Sequence, residues 1–414
     1  MSRRPCQLAC AGILSLAAAA APAAAEQALA LNAAASGPSA AEARRDAADY
    51  RAAIRELESS GGAYADQLGE HLGGLGINLQ RRGKHREAVE LFKRGVHLAR
   101  INEGLYCPQQ IPLLEREIAS HLALRDYEAA DERELYLYRV QMQNLDAGAE
   151  RAQALMRQAD WQYNAFRLGL ERDNYTRLMT AWDLNAQAVN ELGRDSGRYS
   201  VQMLPPLHNM LRAQYLISDY NMAMIETQAQ YAMVGNGGFP QDPQLSRFNL
   251  YRAQSYRKGE SVAEMLYEVE SALHGPGSEP AAQALAVYGD WELFHGQRRA
   301  AAERYRAAVG ELLPHDDAEA KIEALFGEPV EIPDNDAVRY LPPAVDPQQG
   351  NLLLRFSVSD TGRVHHLERI DDNDIDRSSA NRIMRILRGT LFRPRLAAQG
   401  PVDAEGITRA YAIN

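Results

Sequence analysis

Residues 72–95 read LGGLGINLQRRGKHREAVELFKRG, and residues 285–308 read LAVYGDWELFHGQRRAAAERYRAA. Laid over one another at this one offset, Leu72, Leu75, Gly76, Gly83, Ala88, Phe92 and Gly95 fall on Leu285, Tyr288, Gly289, Gly296, Ala301, Tyr305 and Ala308. Self-similarity at a fixed offset marks a repeat architecture. Gly76/Gly289, Ala88/Ala301 and Gly95/Ala308 are small, as close crossing of two antiparallel helices requires. Phe92/Tyr305 is expected to fill the gap between neighbouring pairs. Gly83 and Gly296 supply the left-handed residue that ends the first helix of each pair.

This pattern resembles the tetratricopeptide repeat in Leu75-Gly76, the turn at Gly83 and Ala88-x3-Phe92. Leu72 and Leu285 stand where that family prefers tryptophan, and Tyr288 replaces the leucine before Gly289. Weaker copies fall at Tyr127-x2-Ala130, Tyr175-x2-Leu178, Tyr220-x2-Ala223 and near Gly259. Five steps across the 213 residues from Leu72 to Leu285 give a mean period of about 43, longer than the family's usual ~34. About six helix pairs are therefore expected within an α-solenoid at 64–326. In the segment ahead of it, 26–63, Ser39 and Glu42 form a capping box. Ala47, Tyr50, Ile54 and Leu57 make the stripe of a helix that covers the open end. Stacked repeats build an extended concave surface of the kind that binds polypeptide.

Further out, residues 1–25 read as a secretory signal: Arg3 and Arg4, an apolar core from Gly12 to Ala21, then Ala23-Ala24-Ala25. A mature chain beginning near Glu26 in the periplasm is expected. The alternative is an uncleaved anchor from Leu8 to Ala25. Cleavage would remove Cys6 and Cys10 and leave Cys107 as the only thiol, with no intramolecular disulfide. The 414 residues, 46% apolar and 24% charged, exclude a disordered or collagen-like chain. The net charge of −10 argues against a nucleic-acid partner.

At the other end, Pro329, Pro333, Pro342, Pro343 and Pro347 mark 327–349 as a proline-rich linker. Beyond it the periodicity changes to alternation. Leu352, Leu354, Phe356 and Val358 form one strand face, Asp360-Thr361-Gly362 a hairpin turn, and Arg363 to Ile370 the return strand. Asp376 caps a helix with the stripe Ala380, Ile383, Met384 and Leu387, and a last strand runs from Val402 to Ile413. The fold class is thus mostly α: a helix-pair solenoid followed by a small α+β domain at 350–414, strand-strand-helix-strand with an antiparallel sheet. Phe392-x-Pro394, Gln399-Gly400-Pro401-Val402, Ile375-Asp376 and Tyr340-Leu341-Pro342 fall in the order of the TonB C-terminal domain, which this domain resembles. The resemblance implies a Gram-negative periplasmic domain that takes a short peptide of outer-membrane transporters by strand addition. Thr408, Arg409, Ala410 and Tyr411 are then the candidate pairing edge.

No catalytic, cofactor or metal motif is present. His365 and His366, as neighbours on a strand, point to opposite faces and suit no shared metal. Asp372, Asp374 and Asp376 begin like a calcium loop, but Arg377 replaces its glycine and Ile383 its last glutamate. Arg382, Arg385, Arg388, Arg393 and Arg395 form the one basic cluster, suited to an acidic protein or anionic cell-wall polymer. The chain reads as a periplasmic adaptor without enzymatic activity, its solenoid binding one protein and its C-terminal domain another. The alternative is a diverged TonB-type transducer anchored by its N-terminal segment.

Overall fold

A computed structural model describes residues 40–171, 174–220, 243–373 and 376–413. Residues 1–25, on which the expected signal falls, and Ser39, Ala223, Asp374 and Ile375 lie outside the described residues. The first described helix, α1 (Ala40–Gly61), lays Ala47, Tyr50, Ile54 and Leu57 onto the core of the first repeat, as the stripe predicts.

Helix pairs follow: α2 (Leu68–Arg81) with α3 (His85–Glu103), α4 (Gln110–Ala123) with α5 (Tyr127–Asn144), and α6 (Ala149–Leu168) with α7 (Tyr175–Asp195). In the fourth pair α8 (Leu204–Asp219) packs on α10 (Ser255–His274), with the short α9 (Pro243–Ala253) beside them. The fifth joins α11 (Glu279–Phe294) to α12 (Arg298–Leu312), and α13 (Ala318–Phe326) ends the solenoid. Five such pairings stand among the described residues, and the copy expected at Tyr220-x2-Ala223 falls partly outside them.

The turns inside the first, second, third and fifth pairs share one form. Gly83, Arg125, Gly169 and Gly296 all have positive φ, at 72°, 58°, 66° and 78°. The next amide closes a Schellman motif in every case: Lys84 N donates to Leu79 O at 2.9 Å, Asp126 N to His121 O at 2.9 Å, Leu170 N to Ala165 O at 3.2 Å and Gln297 N to Glu292 O at 2.9 Å. A Cβ on Gly76 would lie 2.5 Å from Phe92 Cε1, and one on Gly289 2.4 Å from Tyr305 Cε1. Both rings therefore fill the crossing within their own pair rather than the gap to the next. At Gly95 a Cβ would meet Leu113 of the following pair at 3.0 Å.

The C-terminal domain contains β1 (Val330–Ile332), β2 (Ala344–Val345), β3 (Leu352–Val358), β4 (Val364–Arg369), α14 (Arg377–Gly389), β5 (Leu391–Arg393), β6 (Arg395–Ala397), β7 (Gly400–Val402) and β8 (Ala404–Tyr411). An antiparallel sheet has the order β2-β8-β3-β4; β1 pairs with β5, and β6 with β7. Leu352, Leu354, Phe356 and Val358 are buried against Ala380, Ile383 and Leu387 of α14, whose start is capped by Ser379 N donating to Asp376 Oδ2 at 3.0 Å.

Residues 327–349 are no free linker. β1 and β2 belong to the sheets of the C-terminal domain, and Ile332 and Leu396 enter the same buried cluster as Leu293, Tyr305, Leu312 and Phe326. A stretch broken by prolines can still be held at both ends by short strands. Solenoid and domain share one core.

Candidate functional site

The candidate edge strand is not an edge along its whole length. In β8, Ala410 faces Leu353 of β3 on one side and Val345 of β2 on the other; Tyr411 lies between Leu352 and Ala344 in the same way. Both are buried, so their backbone cannot accept a further strand. This corrects the expectation for those two residues, because the former linker supplies the covering strand. Thr408 and Arg409 lie beyond the end of β2 and register only with β3. The Arg409 guanidinium donates to Pro329 O at 3.4 Å, lies 3.8 Å from Glu331 Oε2 and stacks 5.1 Å from the Phe392 ring centroid. Arg409 and Tyr411 line a cavity of about 180 Å³ together with Glu331 and Asp334.

At the sheet's other edge, β4 has no strand beyond it among the described residues. Its register with β3 shifts between Arg355 and Ser357, and His366 has a φ of 51°. A bulge of this kind blunts an edge against pairing. It also breaks the expected alternation: the His365 and His366 rings come within 4.8 Å of each other.

The arginine cluster divides. Arg382, Arg385 and Arg388 project into solvent from α14 and make no salt bridge among the described residues. Arg395 pairs with Glu323 of α13 at 2.8 Å. Arg393 is 7% exposed and clasps the buried Asp290 of α11, with Nε donating to Oδ1 at 2.9 Å and Nη2 to Oδ2. Tyr305 OH donates to the same Oδ1 at 2.9 Å. Burial alone would lower the guanidinium pKa, but the charge and hydrogen bonds of Asp290 raise it on balance. Arg393 therefore fastens the domain to the last pair and is not part of a solvent-facing patch.

Between β1 and β2 the chain crosses the first helices of the later pairs as a strap. Asp336 O accepts from Tyr163 OH of α6 at 2.8 Å, and Tyr340 OH donates to Asp219 Oδ1 at the end of α8 at 2.5 Å. Ala337 and Val338 pack against the apolar cluster of Tyr163, Leu216 and Phe248. Asp334 reaches to 3.9 Å from Arg393. Nothing in the sequence reading singled out Tyr163 or Asp219, because their partners lie 173 and 121 residues away.

In the second pair, Glu117 of α4 has a fully buried side chain. Arg133 Nε of α5 lies 2.9 Å from its Oε1 and His121 Nε2 3.7 Å away, while His121 Nδ1 contacts Asp126 Oδ2 at 3.0 Å. Burial raises the Glu117 carboxyl from 4.5 to about 7, against the pull of Arg133 and Lys93. A raised folded-state pKa gives stability that is present below about 4.5 and lost as pH rises through about 7. Glu117→Gln keeps the neutral form at every pH. Its melting temperature is expected to gain on wild type between pH 5 and pH 8, by on the order of 2–3 kcal/mol in stability. Parallel pH profiles for the two proteins would contradict this.

Cys107 is buried, its Sγ 3.3 Å from Ala99 O. No group of three metal-ligating side chains stands together among the described residues, and no described helix is long and apolar enough to cross a membrane.

Fold and surfaces together define a helix-pair repeat protein whose far end is closed by a small α+β domain. No family model matches the chain, and no curated protein matches it. Among solved structures it is similar to the nearly identical TPR-like repeats of a Podosopora anserina chain assigned to the kinesin light chains, at 13% identity and a TM-score of 0.36, over 59% of this chain and 94% of that one. It is also similar to BtubC (BKLC) from P. vanneervenii, at 14% identity and a TM-score of 0.37, over 74% of this chain and 96% of that one.

Proposed function

We propose that this chain is a periplasmic adaptor: the repeat solenoid holds one polypeptide, and the C-terminal domain offers a second contact surface fixed relative to the first. One observation carries the reading. The face formed by the first helices already holds a stretch of irregular polypeptide, the chain's own residues 333–340. The signal-like residues 1–25 support the compartment. The resemblance of the last domain to the TonB C-terminal domain supports outer-membrane transporters as partners, through the short free edge at Thr408 and Arg409.

The test uses the whole chain as bait in periplasmic extract, since the two parts share a core. Specific polypeptides are expected to be retained; if none is, the adaptor reading fails. Intact mass of protein from the periplasmic fraction is expected to show a start near Glu26, recovered without detergent. A full-length mass in the membrane fraction would instead favour the anchored transducer.

The exposed arginines supply a separate prediction. A contact through Arg382, Arg385 and Arg388 is screened within about 8 Å at physiological salt, so binding of an acidic partner should fall as salt rises. Replacing all three with glutamine is expected to abolish that salt-sensitive binding and leave the melting temperature unchanged. Retained binding in the triple variant would remove this surface from the proposal.

A further inference from the structure

We propose that the groove over α6 and α8 is a peptide-binding site held shut by residues 333–340, and that a partner segment of the same chemistry displaces them. The inference rests on the adaptor reading and gives its solenoid surface a location and a ligand class.

The strap shows what the groove recognises. Tyr163 OH takes a backbone carbonyl, at Asp336, so that contact is independent of the ligand's side chain. Two small apolar side chains, Ala337 and Val338, lie on the aromatic and aliphatic cluster of Tyr163, Leu216, Ile217 and Phe248. Asp219 then takes a hydrogen-bond donor two residues further on, the Tyr340 hydroxyl. Arg393, already shared with Asp290, lies near the acidic residue at the segment's start, Asp334. The fitting ligand is a short bent segment, turning as the strap does at Asp336 (φ 56°), with an acidic residue, a pair of small apolar residues after it, and a tyrosine or another donor two positions beyond.

The strap can leave without the domain. Its ends are held by strand pairing at β1–β5 and β2–β8, and the domain is fastened independently through Arg393 and the shared core. Held at both ends, the strap competes at an effective concentration on the order of millimolar, so a free peptide meets a nearly closed site. Its side-chain hydrogen bonds to the solenoid are few, and opening such a segment costs less than undocking the domain.

The probe is a fluorescent synthetic peptide with the sequence of residues 332–341, titrated by anisotropy into the whole wild-type chain and into a chain whose residues 334–340 are replaced by an equal number of glycines and serines. Binding to the replaced chain is expected to be at least tenfold tighter than to wild type, and a scrambled peptide is expected not to bind. No binding to the replaced chain, equal binding to both chains, or equal binding of the scrambled peptide would each overturn the proposal. If the replaced chain does not fold, Tyr340→Phe with Val338→Ser serves instead, since both changes lie in the strap and leave the groove intact. Weakening the strap alone is expected to tighten peptide binding severalfold over wild type, and unchanged binding overturns the proposal. Periplasmic proteins still captured by the wild-type chain after such a failure would leave the adaptor reading standing on other surfaces.

Discussion

Arg393→Leu is expected to lower the unfolding free energy by about 3–5 kcal/mol, the cost of leaving a buried charge without its partner. Asp290 is 2% exposed and would keep only the Tyr305 hydroxyl, 2.9 Å away. Urea unfolding followed by tryptophan fluorescence and circular dichroism measures the loss. Replacing Asp290 and Arg393 together with leucine should recover part of it, since an apolar pair no longer buries an unpaired charge. A loss below about 1 kcal/mol, the range of an exposed ion pair, would place Arg393 in solvent and undo the docking described above.

Trp291→Ala is expected to cost about 3–5 kcal/mol through the cavity it leaves. The indole is fully buried, lies edge-on to Tyr215 at 4.8 Å between ring centroids, and donates from Nε1 to Tyr256 O at 3.0 Å. It also occupies the space beside Gly259 of α10, where a Cβ would come within 2.1 Å of Trp291 Cζ2. Gly259→Ala should therefore destabilise the wild type by about 1–3 kcal/mol through overpacking, and much less in the Trp291→Ala background. The same unfolding measurements on the two single variants and the double variant give the coupling. Additive losses would mean that α10 and α11 do not meet at this pair.

What was legible in the sequence follows the range over which each contact acts. Gly76 with Phe92 and Gly289 with Tyr305 are separated by 16 residues, and both glycines were readable as close-approach positions. The second turn escaped notice because Arg125, not glycine, takes the left-handed conformation there. In the C-terminal domain the alternation of Leu352 to Val358 and the cap at Asp376 are local, and both were readable. The closure of β8 by Ala344 and Val345 was not, because it joins residues more than 60 positions apart across a stretch whose prolines read as a spacer. The burial of Arg393 had one sequence signal. In the overlay of the two repeats, Asp290 stands where the first copy has Ile77, an acid beside the helix-crossing glycine. A carboxylate there needs a buried cation, and Arg393 supplies it.

Native-state hydrogen exchange is the most direct measure of whether domain and solenoid form one body. Amides of α11 and of β5 and β6 are expected to open with a common free energy, and Arg393→Leu should lower both sets together. Opening of β5 and β6 at a lower free energy while α11 stays protected in the wild type would contradict the shared core.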